Sequence, residues 1–259
     1  MSEQTLNAAP EPGKKIRNPY RSLGLVLTVS GAVLAPVFYF LAASVPLTAL
    51  ALSAVILGLV SSSLANARPD ITPEASRMML QTGMENIASL LEELGLTSRA
   101  VYLPSPEKGG RPRAVIPLKE EGFVPEIDRI VPDRLITRFG PNLENMCLAV
   151  TTPGSISLDG ISLPRGGGTA QVESALSQVL VGLMDLADSV SLHAGEQRLL
   201  VDVTNPKLKY DNAWYCRSLG SPVASVVAAI ASQGLARPLR ITGEKAEGKN
   251  VRIELEILS

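Results

Sequence analysis

Residues 22–67 read SLGLVLTVSGAVLAPVFYFLAASVPLTALALSAVILGLVSSSLANA and contain no Asp, Glu, Lys or Arg. A bilayer core about 30 Å thick is crossed by roughly 20 apolar residues in a helix. The stretch is therefore long enough for two spans, which we place at residues 23–41 and 46–64, with a turn at residues 42–44. A cleaved signal peptide is disfavoured, because its apolar core would have only about 7–15 residues and a second span follows at once.

Basic residues flank this hairpin on one side of the predicted membrane. Lys14, Lys15, Arg17 and Arg21 precede the first span, and Arg68 follows the second. Because cytoplasmic flanks carry the excess of Lys and Arg, we expect both termini to be cytoplasmic. The bilayer is then the first partner of the chain, through residues 22–67. The tail, residues 1–21, is polar and basic and is predicted to be disordered.

Small residues recur four apart within both spans, at Gly31 and Ala35 in the first and at Ala54, Gly58 and Ser62 in the second. Such spacing lets helices approach closely in lipid. It predicts either that the two spans pack on each other or that the hairpin carries a dimerisation face. No ionisable side chain lies within either span, which argues against a proton or ion pathway.

After a short linker, residues 68–71, the rest of the chain (residues 72–259) is long enough for one soluble domain with its own core. From Arg68 onward there are 20 basic and 23 acidic residues. Without a basic stripe interleaved with aromatic residues, nucleic acid is not expected as a partner. One His and two Cys do not match a common zinc-binding pattern, and no cofactor is implied.

The spacing of apolar residues predicts three main helices in this domain, at residues 73–94, 169–189 and 222–234. The first has Thr72 as its N-cap and Gly95 as its stop signal. Its apolar face comprises Leu80, Met84, Ile87, Leu91 and Leu94. That face predicts packing on the domain, and a short heptad seam for a homodimer is the alternative.

Short apolar or alternating runs predict strands, at residues 100–103, 113–118, 146–151, 155–163, 198–203, 239–242 and 251–257. A short helix is expected at residues 133–139. Strands grouped in pairs between separate helices favour an α+β fold, with an antiparallel or mixed sheet covered by helices on one face.

The run Arg165, Gly166, Gly167, Gly168 and Thr169 is the first candidate binding site. Free N–H groups at the start of a helix attract anions, and Arg165 adds a positive charge. No Lys-Ser or Lys-Thr pair follows the glycines, so the run is not the phosphate loop of nucleotide hydrolases. A flexible connection between a strand and a helix explains the same residues.

The second candidate segment is Trp214-Tyr215-Cys216-Arg217. A thiol beside an Arg and near a helix N-terminus is expected to have a lowered pKa. Trp214 and Tyr215 are candidates for lining a ligand pocket in which Arg217 would meet an acid group, and the edge of the core is the alternative. His193 is expected to follow the helix at 169–189 as a surface residue.

Three segments carry a family resemblance: Ala67-Arg68-Pro69-Asp70, residues 149–154 (AVTTPG) and residues 220–225 (GSPVAS). Together with the hairpin, they resemble a group of uncharacterised archaeal membrane proteins. The resemblance implies the two-part architecture and no activity. Residues 216–258 are also similar to the end of vinyl-reductase-type small-ligand domains, although the cysteines of that closing hairpin are absent here.

The sequence therefore predicts a membrane-anchored cytosolic module that binds or scaffolds a protein, a second copy of itself or a small ligand, without catalysis. The alternative is an anion or small-ligand sensor, or an enzyme, that uses the glycine run together with the Cys216 segment. The two hypotheses differ in geometry, because the alternative requires both segments to line one pocket.

Overall fold

A computed structural model describes residues 19–67, 73–107, 110–119, 134–139 and 146–258 of the chain. The chain divides into two compact units, residues 1–78 and residues 79–259. Most of the predicted tail and the predicted linker, residues 68–71, lie outside the described residues. The first unit contains the two apolar helices, and the second contains the sheet.

Two helices, α1 (Pro19–Phe40) and α2 (Val45–Ala67), form the predicted hairpin. Both are long and apolar enough to cross a membrane. Backbone hydrogen bonds close the turn between them, and the Ser44 N–H donates to the Phe38 carbonyl at 3.2 Å. Pro36 lies inside α1, which continues past it.

Glycines allow the backbones of α1 and α2 to touch. A Cβ added at Gly58 would lie 2.6 Å from the Thr28 backbone nitrogen and 2.8 Å from the Gly24 carbonyl oxygen. A Cβ added at Gly31 would lie 2.7 Å from the Ala51 carbonyl oxygen. Close approach at small residues is typical of packed membrane helices. The interpretation that these residues pack the two spans on each other is confirmed at Gly31 and Gly58.

Replacing Gly58 with Leu is expected to push α1 and α2 apart by about 2 Å, because the interaxial distance of packed helices is set by the side chains at the contact. Spin labels at the exposed positions Leu25 and Leu57 report this distance by pulsed EPR, with the two native cysteines replaced by alanine. Ser53→Leu is the matched control, since Ser53 is exposed on the outside of α2 and should leave the distance unchanged. An unchanged distance in Gly58→Leu would contradict the packing described above.

Helix α3 (Pro73–Glu93) forms close to its predicted bounds, and its Thr72 cap lies outside the described residues. Leu91 is fully buried in the core. The prediction for Leu94 is wrong, since its side chain is 42% exposed. The helix ends at Glu93, and the chain turns at Gly95, which has a φ of 62°. Because of this turn, Leu96 is buried in the core and Leu94 is not.

The second unit is built on one eight-stranded sheet in which every pairing is antiparallel. Its strands are β1 (Val101–Leu103), β2 (Arg113–Pro117), β3 (Ile136–Arg138), β4 (Met146–Val150), β5 (Ser189–Ala194), β6 (Arg198–Thr204), β7 (Leu239–Glu247) and β8 (Asn250–Ile257). The strand order across the sheet is β3-β4-β2-β1-β7-β8-β6-β5. The α+β prediction is confirmed, and the sheet is antiparallel rather than mixed.

Four further helices complete the unit: α4 (Pro153–Ser157), α5 (Thr169–Ser177), α6 (Ala213–Leu219) and α7 (Pro222–Leu235). The main core packs the helices against one face of the sheet, and α7 is buried along almost its whole length. Residues 213–235 would also be long and apolar enough to cross a membrane, but most of that stretch is buried inside the protein.

The opposite face of the sheet carries a second apolar cluster that the sequence did not predict. It consists of Val101, Leu103, Val115, Phe139, Cys147 and Ala149. Strand pairing explains it, because Val101 lies opposite Val115 and Val115 lies opposite Ala149, which puts all three side chains on the same face.

Three local predictions are wrong. The described part of the predicted helix at 133–139 contains β3, because these residues pair with β4. The predicted strand at 155–163 is α4 and a 3₁₀ turn, since Pro153 begins a helix there. The predicted helix at 169–189 ends at Leu183 and is followed by β5. Helix α6 was not predicted, and its N-cap Asn212 accepts two backbone hydrogen bonds.

His193 is therefore not a residue after a helix but part of the edge strand β5. Its Nε2 atom lies 3.8 Å from the Asp202 carboxylate, and two-thirds of its side chain is exposed. The same carboxylate accepts a hydrogen bond from Arg252 at 2.8 Å. His193 thus belongs to a surface charge cluster on the sheet.

Candidate functional site

The second unit has an open apolar groove beside α3, with a volume of about 590 Å³. We call it the α3 groove. Its lining residues are Met79, Leu80, Gly83, Met84, Ile87, Val150, Thr151, Thr152, Pro153, Ile156, Ser157, Gly160, Leu183, Met184 and Tyr215. Ligand sites usually measure about 300–1,000 Å³ and are mostly apolar. The α3 groove therefore has the size and chemistry of a site for a small apolar ligand.

Two hydroxyl groups at the groove bond to their own segment of the chain. Thr152 Oγ1 lies 3.0 Å from Ser155 Oγ, and Ser157 Oγ donates to the Gly154 carbonyl at 2.9 Å. These bonds fix the first turns of α4 after Pro153. Because the hydroxyls are already used in this way, the wall presents mainly carbon and sulfur to a ligand.

A π-helical turn, Gln178–Leu183, forms another wall and places Leu183 and Met184 at the groove. Turns of this kind are rare and are frequent at functional sites. The next residue, Asp185, has φ 49°, and its carboxylate accepts a hydrogen bond from Lys207. That bond raises the pKa of Lys207 and keeps its positive charge at the end of the turn.

Three of the six methionines of the chain line the groove: Met79, Met84 and Met184. Methionine is unbranched and flexible, and its thioether is polarisable, so it adapts to ligands of different shape. Met79 is 69% exposed, whereas Met84 is buried. The groove therefore combines a fixed floor with an adaptable edge.

The structure places the glycine run at the C-terminal end of α7. The Gly167 N–H donates to the Gly234 carbonyl at 3.0 Å, and Gly168 is the N-cap of α5 with φ 85°. Arg165 is exposed and bonds to the Pro106 carbonyl at 3.3 Å. Gly166 has φ 74°, and Thr169 is the exposed first residue of α5. Positive φ angles explain the glycines as turn residues.

The Cys216 segment lies at the other end of α7. Cys216 is inside α6, and its thiol donates to the Tyr210 carbonyl at 3.4 Å. Burial raises the pKa of this thiol, and the negative charge of Glu244 adds to the rise. The expectation of a lowered pKa is therefore wrong, because α6 places Cys216 beyond its first turn and the surroundings disfavour the thiolate.

The other residues of the segment have separate positions. Trp214 packs partly buried against the main core. Arg217 is exposed and lines a cleft of about 170 Å³ with Arg99 and Glu244. Tyr215, which the sequence also indicated as a pocket-lining residue, is the member of the segment that lines the α3 groove.

The two candidate segments do not line one pocket. They lie at opposite ends of α7, which has 14 residues and is therefore about 20 Å long. The geometric condition for the anion-binding alternative is not met in the described residues. In the same part of the chain, no group of three or more His, Cys, Asp or Glu side chains is placed to hold a metal ion.

The sequence did not predict the groove, although part of its wall was visible. Leu80, Met84 and Ile87 belong to the predicted apolar face of α3. Which part of such a face stays open depends on contacts with α4 and the π-helical turn, and these are far away in the sequence. The methionines of the lining, Met79 and Met84 on α3 and Met184 after the π-helical turn, were the signal in the sequence that indicated a groove.

Comparison with protein families finds a match over residues 6–256, to the family described as "Domain of unknown function (DUF7982)". No curated protein matches the chain.

Proposed function

The chain belongs to the DUF7982 family, and we propose that it is a membrane-anchored, non-enzymatic binding or scaffolding module whose ligand occupies the α3 groove. The observation that carries the proposal is an open cavity of about 590 Å³ with an almost wholly apolar wall, in a chain that also carries two helices suited to a membrane. Such a cavity is the default binding-site hypothesis in a protein without a catalytic arrangement.

In this proposal, α1 and α2 cross the cell membrane and both termini are cytoplasmic, which makes the second unit a cytosolic domain. The basic residues before α1 support the orientation. Tyr20 and Tyr39 lie near opposite ends of α1, where aromatic residues favour the two membrane interfaces. An archaeal origin, and a topological likeness of residues 216–258 to vinyl-reductase-type domains, stay predictions from the sequence.

Filling the groove tests the function. Gly83 faces it, and no atom lies within 4 Å of a Cβ added there. We expect Gly83→Phe to fill the cavity without a clash and without loss of stability, because Gly is also the poorest helix former after Pro. Ser89→Phe is the matched control, since Ser89 is an exposed residue of the same helix away from the groove.

The measurement is thermal unfolding of the full chain in lipid nanodiscs, with decanoic acid as the apolar probe and butyric acid as its short counterpart. Trp214 is the only Trp, so its fluorescence reports the second unit. Saturation at about 100 times Kd stabilises by about 2.7 kcal/mol, which raises the Tm by about 7 °C for a unit of this size. The proposal fails if decanoic acid stabilises Gly83→Phe as much as the wild type, or if decanoic acid has no effect while the groove also carries no bound lipid.

A further inference from the structure

The wall of the α3 groove narrows the ligand to one chemical class. We propose that the groove holds the hydrocarbon chain of a lipid from the bilayer in which the α1–α2 hairpin is anchored. This inference rests on the function proposed above and deepens it. It concerns what enters the groove, whereas the proposed function concerns only that an apolar ligand binds there.

The first argument is the small number of polar groups in the wall. Thr152 and Ser157 bond within their own segment, and Thr151 is an exposed residue of the lining with a hydroxyl group. A ligand with several donors or acceptors would replace few of its bonds to water, which is costly. A hydrocarbon chain makes no such bonds. The flexible methionines suit a flexible chain better than a rigid ring.

The second argument is size. The groove, at about 590 Å³, lies within the range of about 300–1,000 Å³ that is typical of sites for single small molecules. A hydrocarbon chain of one lipid is a ligand of this class.

The third argument is supply. Met79 follows Ala67, the last residue of α2, by 12 positions, which span at most about 40 Å even when fully extended. This short connection sets an upper limit on the distance between Met79 and the end of α2, which is proposed to cross the bilayer. Lipid is the apolar compound present there at the highest concentration.

The driving force comes from the wall of the groove and not from the lipid. A chain that moves from bilayer to groove exchanges one apolar solvent for another. Covering the wall is favourable, because Met79, Ile156 and Leu183 are 69%, 53% and 59% exposed. A hydrocarbon chain that covers these side chains releases the water around them. Occupancy should therefore depend little on chain length until the chain outgrows the groove.

The experiment uses the full chain in nanodiscs of phosphatidylcholine that carries a photoreactive diazirine at the end of one acyl chain. After irradiation, trypsin digestion and mass spectrometry locate the adducts. We expect adducts on the hairpin peptide, residues 22–77, and also on the groove peptides, residues 78–99 and 166–198. Gly83→Phe should lose most of the groove adducts and keep those on the hairpin, while Ser89→Phe should keep both. Leu183→Gln, at an exposed wall residue, is a second variant with the same expected loss.

Two results would overturn the lipid inference: adducts on the hairpin with none on the groove peptides, or groove adducts that are equal in the wild type and both groove variants. Stabilisation by decanoic acid without lipid adducts would refute the lipid source and leave the proposed function standing. Absence of both effects would refute the two together.

Discussion

At about pH 11 the second unit is expected to be less stable than at about pH 8 by on the order of 5 kcal/mol. Cys147 lies fully buried in the second apolar cluster, and burial raises the pKa of its thiol to about 12. Burial also raises the pKa of Tyr215 to about 12 and the pKa of Tyr102 above its usual value. Each pKa unit corresponds to about 1.4 kcal/mol, and domains are stable by only about 5–15 kcal/mol.

The sign follows from proton binding. All three groups are neutral when protonated, and the folded state holds these protons to higher pH than the unfolded chain. Their stabilising contribution is therefore complete below about pH 9, where the unfolded thiol still keeps its proton, and is lost as the pH rises toward 12. Tyr102 also donates a buried hydrogen bond to the Leu219 carbonyl at 2.6 Å, which the ionised form cannot make.

Urea unfolding of the full chain in nanodiscs, followed by Trp214 fluorescence at several pH values, measures this loss. Cys147→Ala is the control: without the thiol, the decrease between about pH 8.5 and 10 should be smaller, because the tyrosines ionise later. Equal stability at pH 8 and pH 11 would show that the buried groups do not hold their protons as described.

The second large effect is expected for Gly154→Val. A Cβ at Gly154 would lie 2.7 Å from Val226 Cα and 2.8 Å from the Val226 carbonyl oxygen. These are backbone atoms of the buried helix α7, which cannot rotate away as a side chain can. Overpacking of this kind costs about 1–3 kcal/mol and sometimes more, and we expect about 3 kcal/mol.

The same unfolding experiment at neutral pH tests this prediction. Gly160→Ala is the control, because its added Cβ would lie 3.8 Å from Leu183 Cδ2, an ordinary contact. We also expect Gly154→Val to weaken binding of decanoic acid, since α4 forms one wall of the groove and would be displaced. A change of less than about 0.5 kcal/mol, typical of surface substitutions, would mean that α4 shifts freely from α7.

Strong local signals explain which parts of the fold were predictable. The hairpin follows from a long stretch without charge, and α7 follows from Ser221 and Pro222, where the Ser221 side chain accepts a hydrogen bond from the Ala224 N–H. The closing pair β7 and β8 was also found, although β7 extends to Glu247, beyond the predicted end. In each case, a few neighbouring residues determine the local structure.

The secondary-structure predictions failed where the conformation of a segment depends on residues that are far away in the sequence. β3 is a strand because β4 lies beside it, and β5 is a strand because β6 does. β3 has only three residues, too few to show an alternation. The residues of β5, SVSLHA, do alternate between polar and apolar, but the predicted helix at 169–189 overlapped the start of this strand. The prediction of the binding site failed for the same reason. The glycine run and the Cys216 segment were each judged as local motifs, but their separation depends on the length of α7.

The methionine edge of the α3 groove has a chemical consequence. A thioether takes up an oxygen atom from hydrogen peroxide to give a sulfoxide and water. The sulfoxide side chain is polar and chiral. Met79 is exposed enough to react first. We expect peroxide to expel an apolar ligand and sulfoxide reductases to restore the site. The occupancy of the groove would then record the oxidative history of the compartment that it faces.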